Sequence, residues 1–321
     1  MKEENRLEKE NPYLYNFASA INKEFPVVNM YVKTRGFFDS LIYFNKADLF
    51  FLNWVENLKW YNLPVLSIFL ILAKIKSKKI IWTHHNLEPH KGKSWVSNII
   101  LKIIQNLSYR IIFHTNESFN YIDPKFHKKC YYIVHPFFYN LKFCKDVENY
   151  DLLIWGQMRK SKGVENFIEF MIDTNCSLKV LIVGKFQSLD YFNEIKSKTK
   201  ILPNIILKNC FLNDKELFEV HSQSKHILFI YNGRSVLNSG ALIKSLSTGR
   251  NVIGPRRGAF IDYFNLGFVK VFDSFENIVS IVNSNAVINN ELENVNRLKS
   301  LDSFIQENSW NNFGKKVKDI L

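Results

Sequence analysis

The stretch from Asn238 to Pro255, NSGALIKSLSTGRNVIGP, predicts a short capped helix that leads into a buried strand. Ser239 is a good N-cap, Gly240 lets a ligand approach the backbone, and Gly249 ends the run of helically spaced apolar residues. The first N–H groups of a helix carry a partial positive charge and have no partner within it, so a phosphate can accept hydrogen bonds from them. The stretch therefore indicates an α/β protein with a candidate anion site where this helix begins.

On both sides of this stretch, short apolar runs rich in β-branched and aromatic residues alternate with longer helical patterns. This alternation is typical of βαβ units and parallel sheets. The predicted strands are Pro26 to Val32, Asp48 to Trp54, Lys79 to Thr83, Arg110 to Asn116, Tyr131 to His135, Asp151 to Gly156, Lys179 to Gly184, Asn204 to Lys208, His226 to Tyr231, Asn251 to Gly254 and Phe268 to Phe272. The pattern therefore predicts a doubly wound parallel sheet in each half of the chain.

A polar segment from Lys142 to Tyr150 precedes a fresh apolar strand and predicts a domain break. A chain of 321 residues also favours two domains of about 150 residues each. We expect an amino-terminal domain over residues 1–145, a carboxyl-terminal domain over 146–302, and a final helix within Leu301 to Leu321 whose residues 303–321 pack back towards the first domain. Paired α/β domains usually bind ligand in the cleft that faces the carboxyl ends of their strands.

The composition, 46% hydrophobic, is that of an ordinary globular protein. The first ten residues hold no apolar run, which predicts a chain without a signal peptide that stays in the cytoplasm. The four cysteines are widely spaced, so neither a disulfide nor a metal site is expected. The longest apolar run, Leu63 to Ala73, is too short to cross a bilayer and predicts a core helix.

The positive charge is concentrated in one part of the chain. Residues 57–145 hold fourteen Lys and Arg against three acids, an excess of eleven out of thirteen for the whole chain. Such a field attracts nucleic acid, anionic lipid or a phosphorylated substrate, or it is only a solvated basic surface. The lysines between Lys74 and Lys79 directly follow the apolar run, a pattern that suits contact with the inner leaflet of a membrane.

A second segment, Gly156 to Glu165, begins at a strand end and opens a helix. It places Arg159 and Lys162 at the same sheet edge as the start of the Ser239 helix. Two cations and a helix start together suit a diphosphate, because the cations neutralise charge while the N–H groups supply directed hydrogen bonds. The chain has no GxxxxGK[ST] loop, no GxGxxG fingerprint and no Asp-x-Asp pair, which argues against a P-loop nucleotidase, a dinucleotide dehydrogenase and a metal-held diphosphate.

These motifs resemble those of GT-B glycosyltransferases, and more narrowly of bacterial polysaccharide glycosyltransferases related to family 4. The matching pieces are Lys162-Gly163, Gly184, Ser239-Gly240, Gly249, Val252-Ile253, Asn11-Pro12-Tyr13, Asn53-Trp54, Trp82 to His90, His114 and His135-Pro136. The resemblance covers nearly the whole chain. It implies a GT-B fold of two Rossmann-like domains, and a cytoplasmic enzyme that transfers a sugar from a nucleotide diphosphate sugar to a glycan of a bacterial surface polysaccharide such as O-antigen or capsule. The basic surface of the amino-terminal half is expected to dock this enzyme on the inner face of the plasma membrane.

The resemblance also implies the ligands and the residues that hold them. The donor would be a UDP- or GDP-linked sugar, the acceptor a polyprenyl-diphosphate-linked oligosaccharide, and neither a metal, another cofactor nor nucleic acid would take part. The residues implied for the donor are Gly156, Arg159, Lys162, Gly184, Asn238, Ser239, Gly240 and Lys244. Those implied for the acceptor are Asn53, Trp54 and Asn86.

The chain departs from the family at three positions. The arginine usual after the first glycine of the Lys162-Gly163 segment is Gln157 here, and Arg159 is taken as its substitute. Retaining family 4 enzymes carry two glutamates spaced E-x7-E, where this sequence has Val236 and Lys244. Without them an inverting mechanism is open, and it needs a general base near the acceptor hydroxyl. The candidates are His85, Glu88, His90 and Glu56, of which His85 comes first because it directly follows a buried strand. The stereochemistry stays undecided.

Two other functions remain open from the sequence. A sugar-nucleotide epimerase or hydrolase on the same fold would use the donor site without an acceptor. A basic membrane- or nucleic-acid-binding protein would have no catalysis, although the sequence contains no recognisable nucleic-acid module.

Overall fold

The computed structural model describes residues 12–30, 35–55, 58, 60–85, 95–138, 148–232, 239–287 and 291–321. The chain divides into two compact units. Unit 1 comprises Met1–Pro136 and Glu307–Leu321, and unit 2 comprises Phe137–Gln306. The last residues therefore belong with the first 136, while residues 142–147 of the predicted break lie outside the described ranges.

Unit 1 alternates strands and helices, as the pattern of apolar runs predicts. Its elements are α1 (Pro12–Asn22), α2 (Asp39–Ile42), β1 (Leu49–Asn53), α3 (Leu63–Ile75), β2 (Lys79–His84), α4 (Trp95–Leu107), β3 (Arg110–Phe113), β4 (Cys130–Tyr132) and, at the end of the chain, α12 (Trp310–Asp319). The four strands form one parallel sheet in the order β1-β2-β3-β4.

Both faces of this sheet are covered. On one face, α3 and α4 bury Phe69 and Ile104 against Trp82 of β2. On the other face, α1 and α12 bury Phe17 and Phe313 against the alternate residues of the strands. A strand covered on both faces reads as a continuous apolar run, which is why the sequence reveals these strands so clearly.

Unit 2 repeats the pattern with a larger sheet. Its elements are β5 (Tyr150–Trp155), α5 (Val164–Asp173), β6 (Val180–Val183), α6 (Leu189–Thr199), β7 (Ile205–Lys208), α7 (Asp214–Ser222), β8 (Ser224–Leu228), α8 (Gly240–Leu246), β9 (Asn251–Pro255), α9 (Ala259–Asn265), β10 (Val269–Phe272), α10 (Phe275–Val287) and α11 (Glu291–Glu307). Three helix starts carry the side-chain caps that their sequences offer: Ser188, Asn213 and Ser239.

All six strands of unit 2 are parallel, in the order β10-β9-β8-β5-β6-β7. Read from β7, this is the 3-2-1-4-5-6 order of a Rossmann sheet. The chain reverses its direction of winding between β5 and β8, which are neighbours. Ligands of such sheets bind outside the carboxyl ends of the strands at this reversal, so the topology points to the loops after β5 and β8.

Two predictions about local structure are wrong. The strand predicted over Pro26 to Val32 is absent from residues 26–30, which turn instead, with Val27 N–H bonded to the Asn22 side chain and Met30 N–H to the Val27 carbonyl. The helix predicted within Leu301 to Leu321 is two helices, because α11 ends at Glu307 and α12 begins at Trp310.

The apolar run Leu63 to Ala73 forms α3, as predicted, but only one face of the helix enters the core. Leu66, Phe69, Leu70 and Ala73 are buried there. Within the described ranges, none of the helices combines the length and apolarity that crossing a bilayer would require.

Candidate functional site

In unit 2, the loops after β5 and β8 meet at the reversal of the sheet. The loop after β5 contains Lys162-Gly163, and Asn232 N–H of the other loop donates to the Ser161 carbonyl at 3.2 Å. Gly163 has a φ of 74°, and a Cβ there would overlap the carbonyl oxygen of Ile230. Only glycine therefore lets the two loops approach this closely.

The predicted donor residues Gly156 and Gly184 also lie together. Gly184 follows β6, and a Cβ on it would overlap the carbonyl of Gly156. A Cβ on Gly156 would lie 3.1 Å from Lys162 Nζ. The two glycines thus keep the edge of the sheet beside the Lys162 ammonium free of side chains.

Lys162 is the cation at the centre of this edge. Its Nζ donates to the main-chain carbonyl of Trp155 at 2.8 Å and lies 5.5 Å from the ring centroid of Tyr231. Burial, helped by the charge of Arg159, lowers the pKa of Lys162 from 10.5 to about 8. No carboxylate among the described residues forms a salt bridge with it, so a bound anion would be its natural counter-charge.

Tyr231 connects Lys162 to the start of α8. Its hydroxyl lies 3.0 Å from Ser239 Oγ, which accepts a hydrogen bond from Leu242 N–H as the helix cap. Burial raises the pKa of Tyr231 to about 12, so the phenol stays protonated at neutral pH. The sequence reasoning missed Tyr231, although its position at the end of the predicted strand next to β5 was an available signal.

The other predicted donor residues differ in their surroundings. Gly240 is exposed, with open space where a Cβ would stand. Arg159 is exposed and donates to the Gln157 side chain at 2.6 Å. Lys244 instead forms an ion pair with Asp214 at 2.8 Å, and Asn238 lies outside the described ranges.

Trp155, the last residue of β5, also ties this edge to α8. Its indole Nε1 donates to Ser245 Oγ at 2.9 Å, and its ring meets the buried His221 edge to face. Burial lowers the pKa of His221 to about 3, so that ring is neutral. These contacts hold the carbonyl that binds Lys162 in a fixed position.

In unit 1, a second set of polar residues lies at the carboxyl ends of the strands. His85, His114 and His135, hereafter the histidine cluster, follow β2, β3 and β4 in turn, and neighbouring ring centroids are 5.4 and 5.2 Å apart. Tyr13 of α1 lies against all three rings. The sequence singled out His85 but did not predict that the three histidines surround Tyr13.

Hydrogen bonds fix the tautomers of two of these rings. His114 Nδ1 faces the Ile133 carbonyl at 2.7 Å and must donate, so its Nε2 accepts from the Tyr13 hydroxyl at 2.9 Å. His85 Nε2 lies 2.9 Å from Asn53 Oδ1 and donates to it, which leaves the lone pair on Nδ1. The structure thereby brings together His85 and Asn53, two residues singled out from the sequence.

Trp54 completes the surroundings of His85. Its indole stacks on the imidazole with centroids 4.5 Å apart and an interplanar angle of 18°. Trp54 has a φ of 52°, a conformation that costs a non-glycine residue free energy, of order 1–3 kcal/mol, and that is concentrated at functional sites.

All three cluster histidines are uncharged at neutral pH. Burial, followed by the neighbouring histidines, lowers the pKa of His85 well below its ordinary value. Burial also lowers the pKa of His114 to about 4 and that of His135 to about 3. Because the single N–H of the neutral His85 ring already donates to Asn53, His85 can accept a hydrogen bond on Nδ1 from an uncharged group such as a sugar hydroxyl.

Several sequence candidates lie outside the described ranges: Glu56, Asn86, Glu88 and His90. Val236, which replaces a family glutamate, lies outside them too. Among the residues that are described, no group of three or more His, Cys, Asp or Glu side chains is arranged to hold a metal ion.

No protein-family model matches the chain, and no curated protein matches its sequence. Solved structures do resemble it. Anabaena HepE in complex with UDP and glucose is 9% identical, with a TM-score of 0.66 over 88% of this chain and 80% of its own. A glycosyltransferase from Rickettsia africae is 15% identical, with a TM-score of 0.61 over 97% and 81%. Sucrose-phosphate synthase from Thermosynechococcus elongatus is 11% identical, with a TM-score of 0.59 over 92% and 80%. Two parallel sheets and this similarity show that the chain has the GT-B fold, as its sequence predicted.

Proposed function

We propose that the chain is a glycosyltransferase whose donor is a nucleoside-diphosphate sugar, with UDP as the first nucleotide to test. The observation that carries this proposal is the half-buried Lys162 ammonium at the reversal of the unit 2 sheet, which has no carboxylate partner among the described residues. The GT-B fold and the solved complexes of HepE with UDP and with UDP-glucose support the same assignment.

Unit 2 would bind the donor through its diphosphate. Lys162 supplies a partly desolvated positive charge, and the Ser239-Gly240 helix start offers N–H groups. Arg159 is exposed and could exchange its bond to Gln157 for one to the diphosphate. Negative charge grows on the diphosphate as its bond to the sugar breaks, so these groups bind the leaving nucleotide more tightly in the transition state. We propose that this charge suffices and that transfer needs no metal ion.

Unit 1 would provide the acceptor side, with His85 closest to the chemistry. Asn53 holds the His85 ring with its lone pair on Nδ1, and Trp54 stacks against it. A neutral imidazole in this tautomer can accept the proton of an acceptor hydroxyl. The lowered pKa of His85 makes the ring a weak base. We therefore assign to His85 mainly the orientation of the acceptor hydroxyl.

We further propose that the acceptor is a polyprenyl-diphosphate-linked oligosaccharide of a bacterial surface polysaccharide, O-antigen or capsule. The enzyme would meet it at the inner face of the plasma membrane. The support is the positive charge concentrated within residues 57–145, which matches both a diphosphate and anionic lipid.

Titration calorimetry with UDP and GDP tests the donor site. Lys162→Ala should abolish measurable binding and lower sugar transfer by about a hundredfold to a thousandfold. Lys160→Ala is the matched control, since Lys160 lies two residues away, is exposed and pairs with Glu194 at 3.6 Å. Absence of UDP and GDP binding to the wild-type chain, or full transfer activity in Lys162→Ala, would overturn the assignment.

Transfer to a lipid-linked acceptor, followed by mass spectrometry, tests the acceptor side. His85→Gln should lower transfer while leaving UDP affinity unchanged, because the two sites lie in different units. Consumption of the donor at the same rate without acceptor would instead indicate a hydrolase or epimerase.

A further inference from the structure

The outer faces of α3 and α4 are apolar, although both helices already bury their inner faces in the core of unit 1. Ile68, Ile71 and Ile75 follow each other at helical spacing on α3 and are 50%, 60% and 69% exposed. On α4, Ile99 and Ile103 lie four positions apart and are also exposed. A helix on the surface of a globular protein normally turns charged and polar residues outwards, so five isoleucines here require an explanation.

Both helices pack against the same face of the sheet, since their buried residues share one core with Phe50 and Trp82. Their outer faces consequently point to the same side of unit 1. We call Ile68, Ile71, Ile75, Ile99 and Ile103 together the isoleucine surface.

Aromatic and basic residues border the isoleucine surface. Trp60, which is 75% exposed, and Tyr61 stand immediately before α3. The exposed Lys74 and Lys76 stand at its end, and Lys102 lies between the two isoleucines of α4. From Trp60 to Leu107 the sequence contains seven lysines and a single acid, Glu88.

We propose that the isoleucine surface is the face by which this protein lies on a bilayer that contains anionic lipid. Tryptophan and tyrosine prefer the headgroup region, isoleucine side chains enter its apolar boundary, and flanking lysines attract anionic headgroups. The same positive charge disfavours a second copy of this chain as the occupant, because like charges would face each other. The proposal rests on the proposed function in that a lipid-linked acceptor would be met at this face.

Co-sedimentation with vesicles tests the proposal. The wild-type chain should bind vesicles made of equal parts phosphatidylcholine and phosphatidylglycerol, and bind phosphatidylcholine alone at least about tenfold more weakly. The double variant Ile68→Ser with Ile71→Ser should bind the mixed vesicles about tenfold to a hundredfold more weakly. Ile201→Ser is the matched control, because Ile201 is 67% exposed but lies in unit 2.

Intrinsic fluorescence identifies the surface that makes the contact. Trp60 emission should shift to the blue when mixed vesicles are added, and Trp60→Phe should remove that shift while retaining most of the binding. Equal binding by the double variant and the wild type would overturn the proposal. So would self-association of the wild type that the double variant loses, without vesicle binding by either.

The vesicle result and the donor-site result can be separated on the same proteins. The double variant should retain wild-type UDP affinity, while Lys162→Ala should lose UDP affinity and still bind vesicles. A chain that binds vesicles but no nucleotide would thus refute the proposed function and leave the bilayer contact standing.

Discussion

The ammonium of Lys162 donates a 2.8 Å hydrogen bond to the main-chain carbonyl of Trp155, the last residue of β5. The indole of Trp155 is itself held by Ser245 of α8. Direct hydrogen bonds thus join the end of β5 to Lys162 and to α8. The ammonium is therefore held at the edge of the sheet before any ligand binds. Preorganised charge of this kind stabilises a developing anion without reorganisation at the moment of reaction.

The affinity for UDP should fall at alkaline pH. With a pKa of about 8, Lys162 is charged at neutral pH and loses its proton as the pH rises through 8. Because the diphosphate prefers the charged form, affinity should decrease by up to about tenfold per pH unit above that point. Calorimetry from neutral to alkaline pH measures the slope. Lys160→Ala should keep the slope, and a flat profile in the wild type would contradict this role for Lys162.

Removing the charge of Lys162 should stabilise the free protein. Its pKa lies below 10.5, so the folded state holds the charged form at a cost. Lys162→Met removes that cost but also the bond to the Trp155 carbonyl, so we expect a net gain of about 1 kcal/mol near pH 7. Between about pH 8 and 10.5 the unfolded chain binds more protons than the folded one. Wild-type stability therefore rises with pH in that window, and the advantage of the variant should shrink. Thermal unfolding at neutral and alkaline pH measures both effects, and a destabilised variant at pH 7 would count against them.

Two substitutions at Tyr231 should separate its ring from its hydroxyl. Tyr231→Phe keeps the ring 5.5 Å from Lys162 Nζ but loses the bond to Ser239, so UDP affinity should change less than about threefold. Tyr231→Leu also loses the cation–π contact and should bind UDP about tenfold more weakly. Calorimetry compares the two, and equal affinities would show that the ring has no part in binding.

Tyr13→Phe should destabilise unit 1. The change removes the donor to His114 Nε2 and leaves a buried acceptor unpaired, at a cost of about 1–3 kcal/mol. Tyr15→Phe, on the same helix, makes the same chemical change as a control. Thermal unfolding provides the measurement, and an unchanged transition in Tyr13→Phe would mean that the hydroxyl contributes nothing.

Acid should destabilise both units well before the carboxylates titrate. His114 and His135 in unit 1, and His221 and His226 in unit 2, all have pKa values of about 3 or 4 when folded. The histidines of the unfolded chain take up protons near pH 6.5. The contribution of the neutral buried histidines to the free energy of unfolding is therefore fully present above that pH and is lost as the pH falls towards 4. Each of these histidines should lower the free energy of unfolding by about 2 kcal/mol at pH 5. His221→Gln should reduce the fall in melting temperature of unit 2 between pH 7 and 5 relative to the wild type.

The sequence predicted the strands of both sheets because each is a short run rich in apolar residues, and the central ones, such as β2 and β6, are buried on two faces. Pro26 to Val32 was the exception. It has the composition of a strand, yet the Asn22 side chain accepts from Val27 N–H and the segment turns. The last helix was predicted as one because its apolar spacing continues past Glu307, whereas α11 ends there and a separate α12 packs on α1. Competing hydrogen bonds and tertiary packing of this kind leave no periodic signal in a sequence.

For the site, the sequence by itself determined what is local. Lys162-Gly163 after a strand, Ser239-Gly240 at a helix start and His85 at a strand end were all found from a few neighbouring residues. Only the tertiary structure decided which side chains meet, because residues distant along the chain are brought together by the order of the strands. Tyr13 bonds to His114 across 101 positions, and Trp155 bonds to Ser245 across 90. Lys244, which the sequence assigned to the donor site, pairs with Asp214. Contacts between residues this far apart along the chain form only on folding, so their spacing in the sequence does not reveal them.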